Sequence, residues 1–538
     1  MAVRVLVQAG VRRAYTVPGD SFLELFDAIQ GDPQMTLVHA RHELASAFMA
    51  EAEGKLRDVP ALLLGHLGPA VMNLVAGVHS AYEDEIPLLV VIADPPSLNL
   101  VGGGGDGPDQ LGLFRPYTKW IARAETASEV PALIAEALGE VQRGRRGPAV
   151  LSVPMDFWVA PYDAAPPVTA PPPNRTGALL RSADEVAALL SEARYPVVIA
   201  GSRARPARDE LIAAADKLNL SVYNAFRRQD AFPETHPRYA GHLGIGIPQQ
   251  QLDALDRADV VLAIGTRLDE VTTQNYRYPS SSQTLVVVGT SPVPSRRRGL
   301  TLRIEAEIGP FLRELSNVAE PRARRSSAAN AGTHTFMTPP DTSGSVLVQP
   351  AEVVRAVRNA VPEDTVVTCD SSNFAQFVHR YWCFTEPHTQ LGPAARTMGY
   401  AVPAAVAAKL AAPRRTVVAM VGDASVMMTG QELETAVRYR APVIVVAIQN
   451  GLYGEIAMHQ ARTHGRLSGV AVPTVDFASW ARAFGAVGYT VESPEQLEPT
   501  VKRALQHQRP SVIDVRTDPD VVNPDVRLST LFRASRSG

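Results

Sequence analysis

Residues 416–451 read TVVAMVGDASVMMTGQELETAVRYRAPVIVVAIQNG, which is two short apolar runs joined by a segment long enough for one helix. A strand–helix–strand unit of this length returns its second strand parallel to the first and beside it. Asp423 ends the first run and Asn450 follows the second. The unit therefore predicts a parallel sheet with Asp423 and Asn450 together at its carboxyl edge, where ligands of open α/β sheets bind.

The same alternation of buried-strand and helical patterns occurs twice earlier in the chain. Short apolar runs occupy residues 61–64 and 87–93, and then residues 196–201 and 259–265. Runs of this kind are typical of parallel strands that are covered on both faces. We therefore expect an α/β fold made of three consecutive doubly wound parallel-sheet domains.

Two stretches of unusual composition separate these parts. Residues 164–174 are rich in proline, which removes amide donors and favours an extended chain. Residues 320–345 are polar and lack hydrophobic periodicity. A chain of 538 residues is also too long for one hydrophobic core. The predicted domains are residues 1–163, 175–319 and 346–538, with linkers at 164–174 and 320–345.

Charge and cysteine content exclude several classes of protein. Lys plus Arg (52) nearly balance Asp plus Glu (55), and the short arginine cluster at 296–298 is typical of a solvated surface. We therefore expect neither nucleic acid nor an anionic membrane as partner. The two cysteines, Cys369 and Cys383, cannot form a disulfide scaffold or a paired-cysteine metal motif. Since no run of about 18 apolar residues and no signal-peptide pattern occurs, we expect a cytoplasmic protein without a membrane span.

The predicted juxtaposition of Asp423 and Asn450 suits a metal ion. A carboxylate and an amide oxygen are ligands that Mg²⁺ accepts, together with water and phosphate oxygens. The alternative is that Asp423 lies in an ordinary turn and that Ser425 caps a helix, as a lone Gly-Asp pair usually does. The apolar strand before each of Asp423 and Asn450 argues for the metal site.

Gly422-Asp423-Ala424-Ser425, followed by Gln449-Asn450-Gly451, resembles the diphosphate-binding motif of thiamine-diphosphate enzymes, especially acetolactate synthases. The resemblance implies thiamine diphosphate and Mg²⁺ as cofactors. It makes Asp423, Asn450 and the carbonyl of Leu452 the metal ligands. It also implies a role for each domain. The first would bind the pyrimidine of the cofactor, the second would be the transhydrogenase-like central domain, and the third would bind the diphosphate.

A second resemblance to the same family lies near the start of the chain. The segment RHELASAFMA, residues 41–50, is similar to the stretch whose glutamate hydrogen-bonds the aminopyrimidine, which gives that role to Glu43. Residues 65–74, 81–88 and 17–20 match neighbouring family segments. Met398 takes the place of the apolar residue that holds the cofactor bent. The residues expected to contact the cofactor are Pro18, Asn73, Asn373, Met398, Gly422, Ala424, Ser425 and Gly454.

The family relationship also implies assembly. In these enzymes the pyrimidine domain of one subunit faces the diphosphate domain of another, so Glu43 and Asp423 would meet across a subunit boundary. The resemblance therefore implies at least a homodimer, with a homotetramer as the other arrangement.

Three segments depart from the acetolactate synthase pattern. Residues 101–107 are a glycine-rich run where those enzymes carry a Gln-Glu pair, and His459 replaces a tryptophan that helps to choose the second oxo acid. Val271 replaces the last arginine of a flavin-binding segment, so the binding of FAD stays open.

Asp20 and His66 point towards decarboxylases. Asp20 stands where pyruvate decarboxylases have an active-site aspartate, and His66 aligns with an active-site histidine of benzoylformate decarboxylase. A histidine after a strand is often a structural residue, yet a group that titrates near neutral pH also suits proton transfer after CO₂ has left. Glu43, His66 and Asp20 are thus the predicted catalytic residues.

We expect a decarboxylase or carboligase that works through a C2 ylid and an enamine. Its donor would be a small 2-oxo acid, and its acceptor a proton, an aldehyde or a second oxo acid. A flavin-linked 2-oxo acid oxidase is an alternative of the same family. A non-catalytic, cofactor-binding paralogue is the alternative of another class. Such a protein would be free to lose Glu43, Asp423 or Asn450, but all three are present, which argues against it.

Overall fold

The computed structural model describes residues 1–98, 109–160, 176–290, 301–322, 338–340 and 345–536. Three six-stranded parallel sheets follow one another along the chain, with helices on their faces, and a small antiparallel pair lies near the end. The predicted fold class is confirmed. Both predicted linkers and the glycine-rich run at 101–107 lie wholly or mostly outside the described residues, as does the arginine cluster at 296–298.

The first sheet has the strand order β2-β1-β3-β4-β6-β5. Every residue of β3 and β4 is buried, because helices cover both faces. Its strands are β1 (Arg13–Thr16), β2 (Thr36–His39), β3 (Ala61–Gly65), β4 (Leu88–Asp94), β5 (Trp120–Arg123) and β6 (Ala149–Pro154). Its helices are Ala2–Gln8, Leu23–Gln30, Glu43–Arg57, Pro69–Glu83 and Val130–Glu140.

The central sheet has the order β12-β11-β10-β7-β8-β9, which is the arrangement of doubly wound dinucleotide-binding folds. Its strands are β7 (Pro196–Ala200), β8 (Ser221–Asn224), β9 (Tyr239–His242), β10 (Val260–Ile264), β11 (Thr284–Val288) and β12 (Thr301–Ile304). Its helices are Thr176–Glu192, Arg208–Lys217, Gln249–Asp256 and Ile308–Val318.

The third sheet has the order β14-β13-β15-β16-β18-β17. Its strands are β13 (Val366–Cys369), β14 (Gln390–Leu391), β15 (Val417–Gly422), β16 (Ile444–Gln449), β17 (Val487–Val491) and β18 (Ser511–Arg516), and the antiparallel pair is β19 (Val521–Asn523) and β20 (Val526–Arg527). Its helices are Pro350–Ala360, Asn373–Tyr381, Ala401–Ala411, Asp423–Thr429, Glu432–Arg438, Gly454–His464, Phe477–Ala483, Pro494–Gln506 and Leu528–Arg536.

The first and third sheets have the same topology. Numbered from its own first strand, each has the order 2-1-3-4-6-5. Helix Glu43–Arg57 of the first packs against helix Ala401–Ala411 of the third, and the two sheets share one hydrophobic core. Alanines on both helices allow this close approach, since a small side chain lets two helices lie near each other.

Buried charges join the three domains. Lys55 lies 2.6 Å from Glu51 and 3.2 Å from Asp84, and Arg228 of the central domain also pairs with Asp84. Tyr400 of the third domain donates to Glu51. Each buried charge has an opposite charge or a donor beside it, which a low-dielectric interior requires. In the described part of the chain, no helix is long and apolar enough to cross a membrane.

Candidate cofactor and proton-transfer site

Asp423 and Asn450 lie side by side at the carboxyl edge of the third sheet. β15 and β16 are parallel neighbours, and Gly422 pairs with Ile448. Asp423 directly follows β15 and Asn450 directly follows β16. The sequence-based prediction that the two residues meet at one edge agrees with this geometry.

The Asp423 carboxylate is buried and held by backbone donors. Asp423 is only 4% exposed. Its carboxylate oxygens accept hydrogen bonds from the backbone amides of Ala424 (2.8 Å) and Gly451 (3.0 Å). Burial raises the pKa of Asp423, while these hydrogen bonds act in the opposite direction. Among the described residues no Lys or Arg forms an ion pair with it. A buried carboxylate without a cationic side chain is one that a bound cation would stabilise.

The Asn450 side chain offers a second oxygen at the same sheet edge as the Asp423 carboxylate. The Asn450 amide oxygen accepts from the backbone of Leu452 at 3.1 Å, and Gly451 between them has a φ of 70°, a conformation that favours glycine. Within the described ranges no three His, Cys, Asp or Glu side chains are close enough to hold a metal. A metal here would therefore rely on one carboxylate, an amide, a carbonyl and oxygens from a ligand, which is a set that suits Mg²⁺.

A small cleft opens beside Asp423 and Asn450. Asn373, at the start of its helix, lines the cleft and donates to the Val522 carbonyl at 3.0 Å. Gly454 lies against Asn373 so closely that a Cβ at this position would come within 2.6 Å of the Asn373 amide nitrogen. The cleft thus depends on a glycine at the start of helix Gly454–His464.

Ser425 and the turn that carries Met398 lie near the two ends of helix Asp423–Thr429. Ser425 is buried and its hydroxyl faces Asp370, whose pKa burial raises to about 6 against the effect of that hydroxyl. Met398 is half-buried in a turn, and the carbonyl of the next residue, Gly399, accepts from the Thr429 hydroxyl. The turn that carries Met398 is therefore tied to the helix that begins at Asp423.

Glu43 begins helix Glu43–Arg57 and is only 16% exposed in its side chain. Its carboxylate accepts from the Asn73 side chain at 2.9 Å. The two residues before it are fixed by the third domain, because Glu432 accepts from the Arg41 amide at 2.9 and 3.1 Å. A carboxylate at the protein surface, with one oxygen oriented by an amide, can share a proton with a ligand base.

His66 follows β3 and is enclosed by the turn that contains Gly19, Asp20 and Ser21. The Ser21 hydroxyl is 2.6 Å from its Nδ1, and Asp20 Oδ1 is 3.6 Å from its Nε2. A Cβ on Gly19 would lie 2.4 Å from the imidazole ring. Pro18, just before this turn, is exposed.

The structure places the predicted residues in two groups. The first-domain group is Pro18, Asp20, Glu43, His66 and Asn73, and the third-domain group is Asn373, Met398, Gly422, Asp423, Ala424, Ser425, Asn450, Leu452 and Gly454. No hydrogen bond or ion pair between described residues joins a member of one group to a member of the other. Exposed apolar side chains border each group: Met72 (50% exposed) beside Asn73, and Met427 (56%) beside Ser425.

The sequence reasoning missed two residues that hold the site. Ser21 directly follows segment 17–20, which the sequence analysis already matched to the family, so its position next to that segment could have marked it as a site residue. Glu432 gave no signal, because its contact joins positions 41 and 432 and its own surroundings read as a surface helix.

Two of the departures noted in the sequence have defined surroundings. His459 lies 3.3 Å from Glu455 on the same exposed helix face. Arg267, in the flavin-type segment, bonds to the carbonyl and carboxylate of Glu83 and also lies 3.7 Å from Glu85. Its guanidinium is thus engaged in holding the central domain to the first.

Three consecutive parallel-sheet domains, with Asp423 and Asn450 side by side at the edge of the last, agree with the class of enzyme that the sequence motifs resemble. Family models for the N-terminal TPP binding domain, the central domain and the C-terminal TPP binding domain of thiamine pyrophosphate enzymes match residues 1–113, 183–315 and 370–515. The chain belongs to the thiamine pyrophosphate enzyme family.

Full-length relatives include acetolactate synthases and an acetyltransferase. The catabolic acetolactate synthase of Raoultella terrigena is 28% identical over 96% of this chain and 94% of its own length. The acetolactate synthase of Bacillus subtilis is 29% identical, with 96% and 92% covered. The sulfoacetaldehyde acetyltransferase of Castellaniella defragrans is 27% identical, with 99% and 96% covered.

A solved structure has the same fold. The thiamine diphosphate-dependent 4-hydroxybenzoylformate decarboxylase of Rhodococcus jostii superposes with a TM-score of 0.84, covering 96% of this chain and 98% of its own, at 23% identity.

Proposed function

We propose that the chain is a 2-oxo acid decarboxylase or carboligase that uses thiamine diphosphate and Mg²⁺. Its donor is a small 2-oxo acid, and its acceptor is a proton, an aldehyde or a second oxo acid. The acetolactate synthase relatives and the decarboxylase-like fold support this range of reactions. The balanced charge and the two unpaired cysteines support a cytoplasmic location.

The observation that carries the proposal is the environment of Asp423. Its carboxylate is buried beside the Asn450 amide at one sheet edge, with no cationic side chain of the described residues paired to it. A divalent cation that also holds a diphosphate would supply the missing charge. Asp423, Asn450 and the Leu452 carbonyl would hold the metal, while Asn373, Gly422, Ala424, Ser425 and Gly454 would form the cradle of the diphosphate.

Glu43 and His66 would manage protons. Thiamine diphosphate, when bound, supplies the carbon nucleophile and the electron sink for the loss of CO₂. The Glu43 carboxylate, oriented by Asn73, would exchange a proton with the aminopyrimidine, and Met398 would support the bent cofactor. His66 and Asp20 would deliver or accept protons at the reacting carbon of the substrate after CO₂ has left.

The two groups of site residues support a shared site between subunits. Each group is bordered by exposed apolar side chains, including Met72 on one surface and Met427 on the other. Met428, next to Met427, is also exposed, and apolar side chains exposed together favour burial against another chain. We propose a homodimer, or a homotetramer made of two of them, in which the Glu43 group of one copy meets the Asp423 group of the next.

A screen of 2-oxo acids tests the proposed function. The full chain is supplied with thiamine diphosphate and Mg²⁺, and CO₂ release is measured for small aliphatic, branched and aromatic 2-oxo acids, with and without added aldehydes. We expect CO₂ release from at least one acid, which disappears when the metal is chelated. Product analysis then separates the two reactions, since decarboxylation gives an aldehyde and carboligation gives a hydroxyketone or hydroxy-oxo acid.

Glu43→Gln and Glu24→Gln are matched variants for this screen, because Glu24 is an exposed glutamate in the same domain. The first should lose CO₂ release and the second should keep it. Absence of CO₂ release from every acid, by protein that binds the cofactor, would refute the proposed function.

A further inference from the structure

The turn of Gly19, Asp20 and Ser21 surrounds the imidazole of His66 on three sides. Gly19 lies under the ring, where any side chain would collide with Cγ at 2.4 Å. Ser21 contacts Nδ1 at 2.6 Å, and Asp20 lies 3.6 Å from Nε2. Three successive residues therefore determine both the position of the ring and the surroundings of each nitrogen.

The two nitrogens of His66 face different environments. Ser21 is 1% exposed, so Nδ1 points at a buried hydroxyl. The Asp20 side chain is 76% exposed, so Nε2 points towards solvent and the open side of the site. Asp20 is the titratable side chain that the described residues place against this ring.

We infer that Ser21 is a positioning residue that leaves Nε2 of His66 as the nitrogen that exchanges protons. The inference rests on the proposed function, in which His66 handles protons at the substrate carbon. A 180° turn of the ring would put a carbon against the Ser21 hydroxyl and would lose their hydrogen bond. The hydroxyl therefore selects one of two ring orientations.

A serine hydroxyl suits both protonation states of the ring. It donates to Nδ1 of the neutral imidazole and accepts from the Nδ1 hydrogen of the imidazolium. His66 can thus gain and lose a proton at Nε2 without leaving a buried nitrogen unpaired. Asp20, at the exposed side, connects Nε2 to solvent protons between turnovers.

Removal of the hydroxyl should affect the imidazolium more than the neutral ring. In Ser21→Ala, the Nδ1 hydrogen of the cation would face a buried methyl group, and an unpaired buried donor is costly. The limb of the pH–rate profile that depends on His66 should then move to lower pH. We expect kcat to fall by about tenfold, the usual effect of one lost hydrogen bond, while KM stays unchanged.

The experiment compares Ser21→Ala with Ser152→Ala, since Ser152 is an equally buried serine in β6 of the same domain. Holoenzyme with ¹⁵N-labelled histidine rings is studied by NMR, and the His66 signals are assigned by their loss in His66→Ala. In the wild type and in Ser152→Ala, Nδ1 should have the shift of a hydrogen-bonded acceptor. In Ser21→Ala, the Nδ1 shift should change and the pH limb should move, and Ser21→Thr, which keeps the hydroxyl, should restore both.

The outcomes separate this inference from the proposed function. If His66→Ala keeps the full pH–rate profile, the proton-transfer role of His66 is wrong, and the role of Ser21 fails with it. If His66→Ala loses one limb while Ser21→Ala has the wild-type limb and Nδ1 shift, the role of Ser21 alone is wrong. A lower unfolding temperature in Ser21→Ala without either change would make Ser21 purely structural, which also overturns the inference.

Discussion

Asp423 and Glu43 are both carboxylates of the proposed site, but their surroundings give them opposite tasks. Asp423 is buried and accepts from two backbone amides, which fixes its oxygens, and it has no ion-pair partner among the described residues. Glu43 lies near the surface, where the Asn73 amide donates to it at 2.9 Å and the His42 imidazole lies 4.0 Å away. The first environment suits a permanent ligand of a cation, whereas the second suits a group that must give and take a proton.

Replacement of Asp423 should weaken cofactor binding. Asp423→Ala removes the charged ligand of the proposed metal site, so the affinity for thiamine diphosphate in calorimetry should fall at least tenfold, and raised Mg²⁺ should restore part of it. Asp364→Ala, at an exposed aspartate of the same domain, is the control and should bind normally. Unchanged affinity in Asp423→Ala would exclude the metal role.

Replacement of Glu43 should slow cofactor activation without loss of binding. Glu43→Gln keeps the size of the side chain and can still contact Asn73, but it cannot share a proton with the aminopyrimidine. We expect hydrogen–deuterium exchange at C2 of the bound cofactor to slow by about 10²–10⁴-fold. Calorimetry should give nearly the wild-type affinity, and exchange at the wild-type rate would assign proton transfer to another group.

At the scale of elements, the site is formed where helices begin after strands. Helices Asn373–Tyr381 and Gly454–His464 meet through Asn373 and Gly454. A Cβ added at Gly454 would lie only 2.6 Å from the Asn373 side-chain nitrogen, so there is no room for one. Asn373 also lines the cleft beside Asp423. The position of one helix therefore depends on the absence of a single side chain on the other.

Gly454→Ala tests that dependence. The added methyl group should displace Asn373 from the Val522 carbonyl, with a loss of stability of about 1–3 kcal/mol, as is usual for overpacking, and with weaker cofactor binding. Urea unfolding and calorimetry measure the two effects. Asn373→Ala in the same chain should relieve the collision and recover part of the stability. Gly139→Ala is the control, because no atom lies within 4 Å of the added Cβ. Since this glycine lies in a helix, its replacement should raise the free energy of unfolding by about 0.5–1 kcal/mol.

Element-scale features differ in how far the sequence predicts them. The runs at 61–64, 87–93 and 196–201 predicted strands correctly, because a strand buried on both faces is apolar throughout. The adjacency of Asp423 and Asn450 followed from the same local pattern. Strand order did not, since nothing in a strand's own residues tells which neighbour it pairs with. The Ser21–His66 and Arg41–Glu432 contacts need the folded chain for the same reason.

At the scale of the molecule, Glu432 links the first domain to the third. It is fully buried, accepts from the Arg41 amide, and accepts from Thr435 at 2.6 Å. Because Arg41 is two residues from Glu43, a side chain of the third domain holds the start of the helix that carries Glu43. The first-domain group of site residues therefore depends on correct docking of the two domains.

This link should make stability depend on pH. Burial raises the pKa of Glu432 from 4.5 to about 7. The folded protein then binds more protons than the unfolded chain between these values, so this residue lowers stability as pH rises from 4.5 to about 7. In Glu432→Gln that slope should be smaller, as measured by urea unfolding across this range. Glu434→Gln, at a partly exposed position of the same helix, should keep the wild-type slope.

The core shared by the first and third sheets has a consequence for synthesis on the ribosome. Helix Glu43–Arg57 leaves the exit tunnel long before its packing partner, Ala401–Ala411, has been made. At about 5–20 residues per second, the intervening stretch of about 340 residues takes roughly 20–70 s to translate. During that time Phe48 lacks Tyr400, the residue before that helix, whose ring it contacts edge-on in the finished protein. For most of its synthesis the nascent chain therefore exposes an apolar helix face that helix Ala401–Ala411 covers in the finished protein.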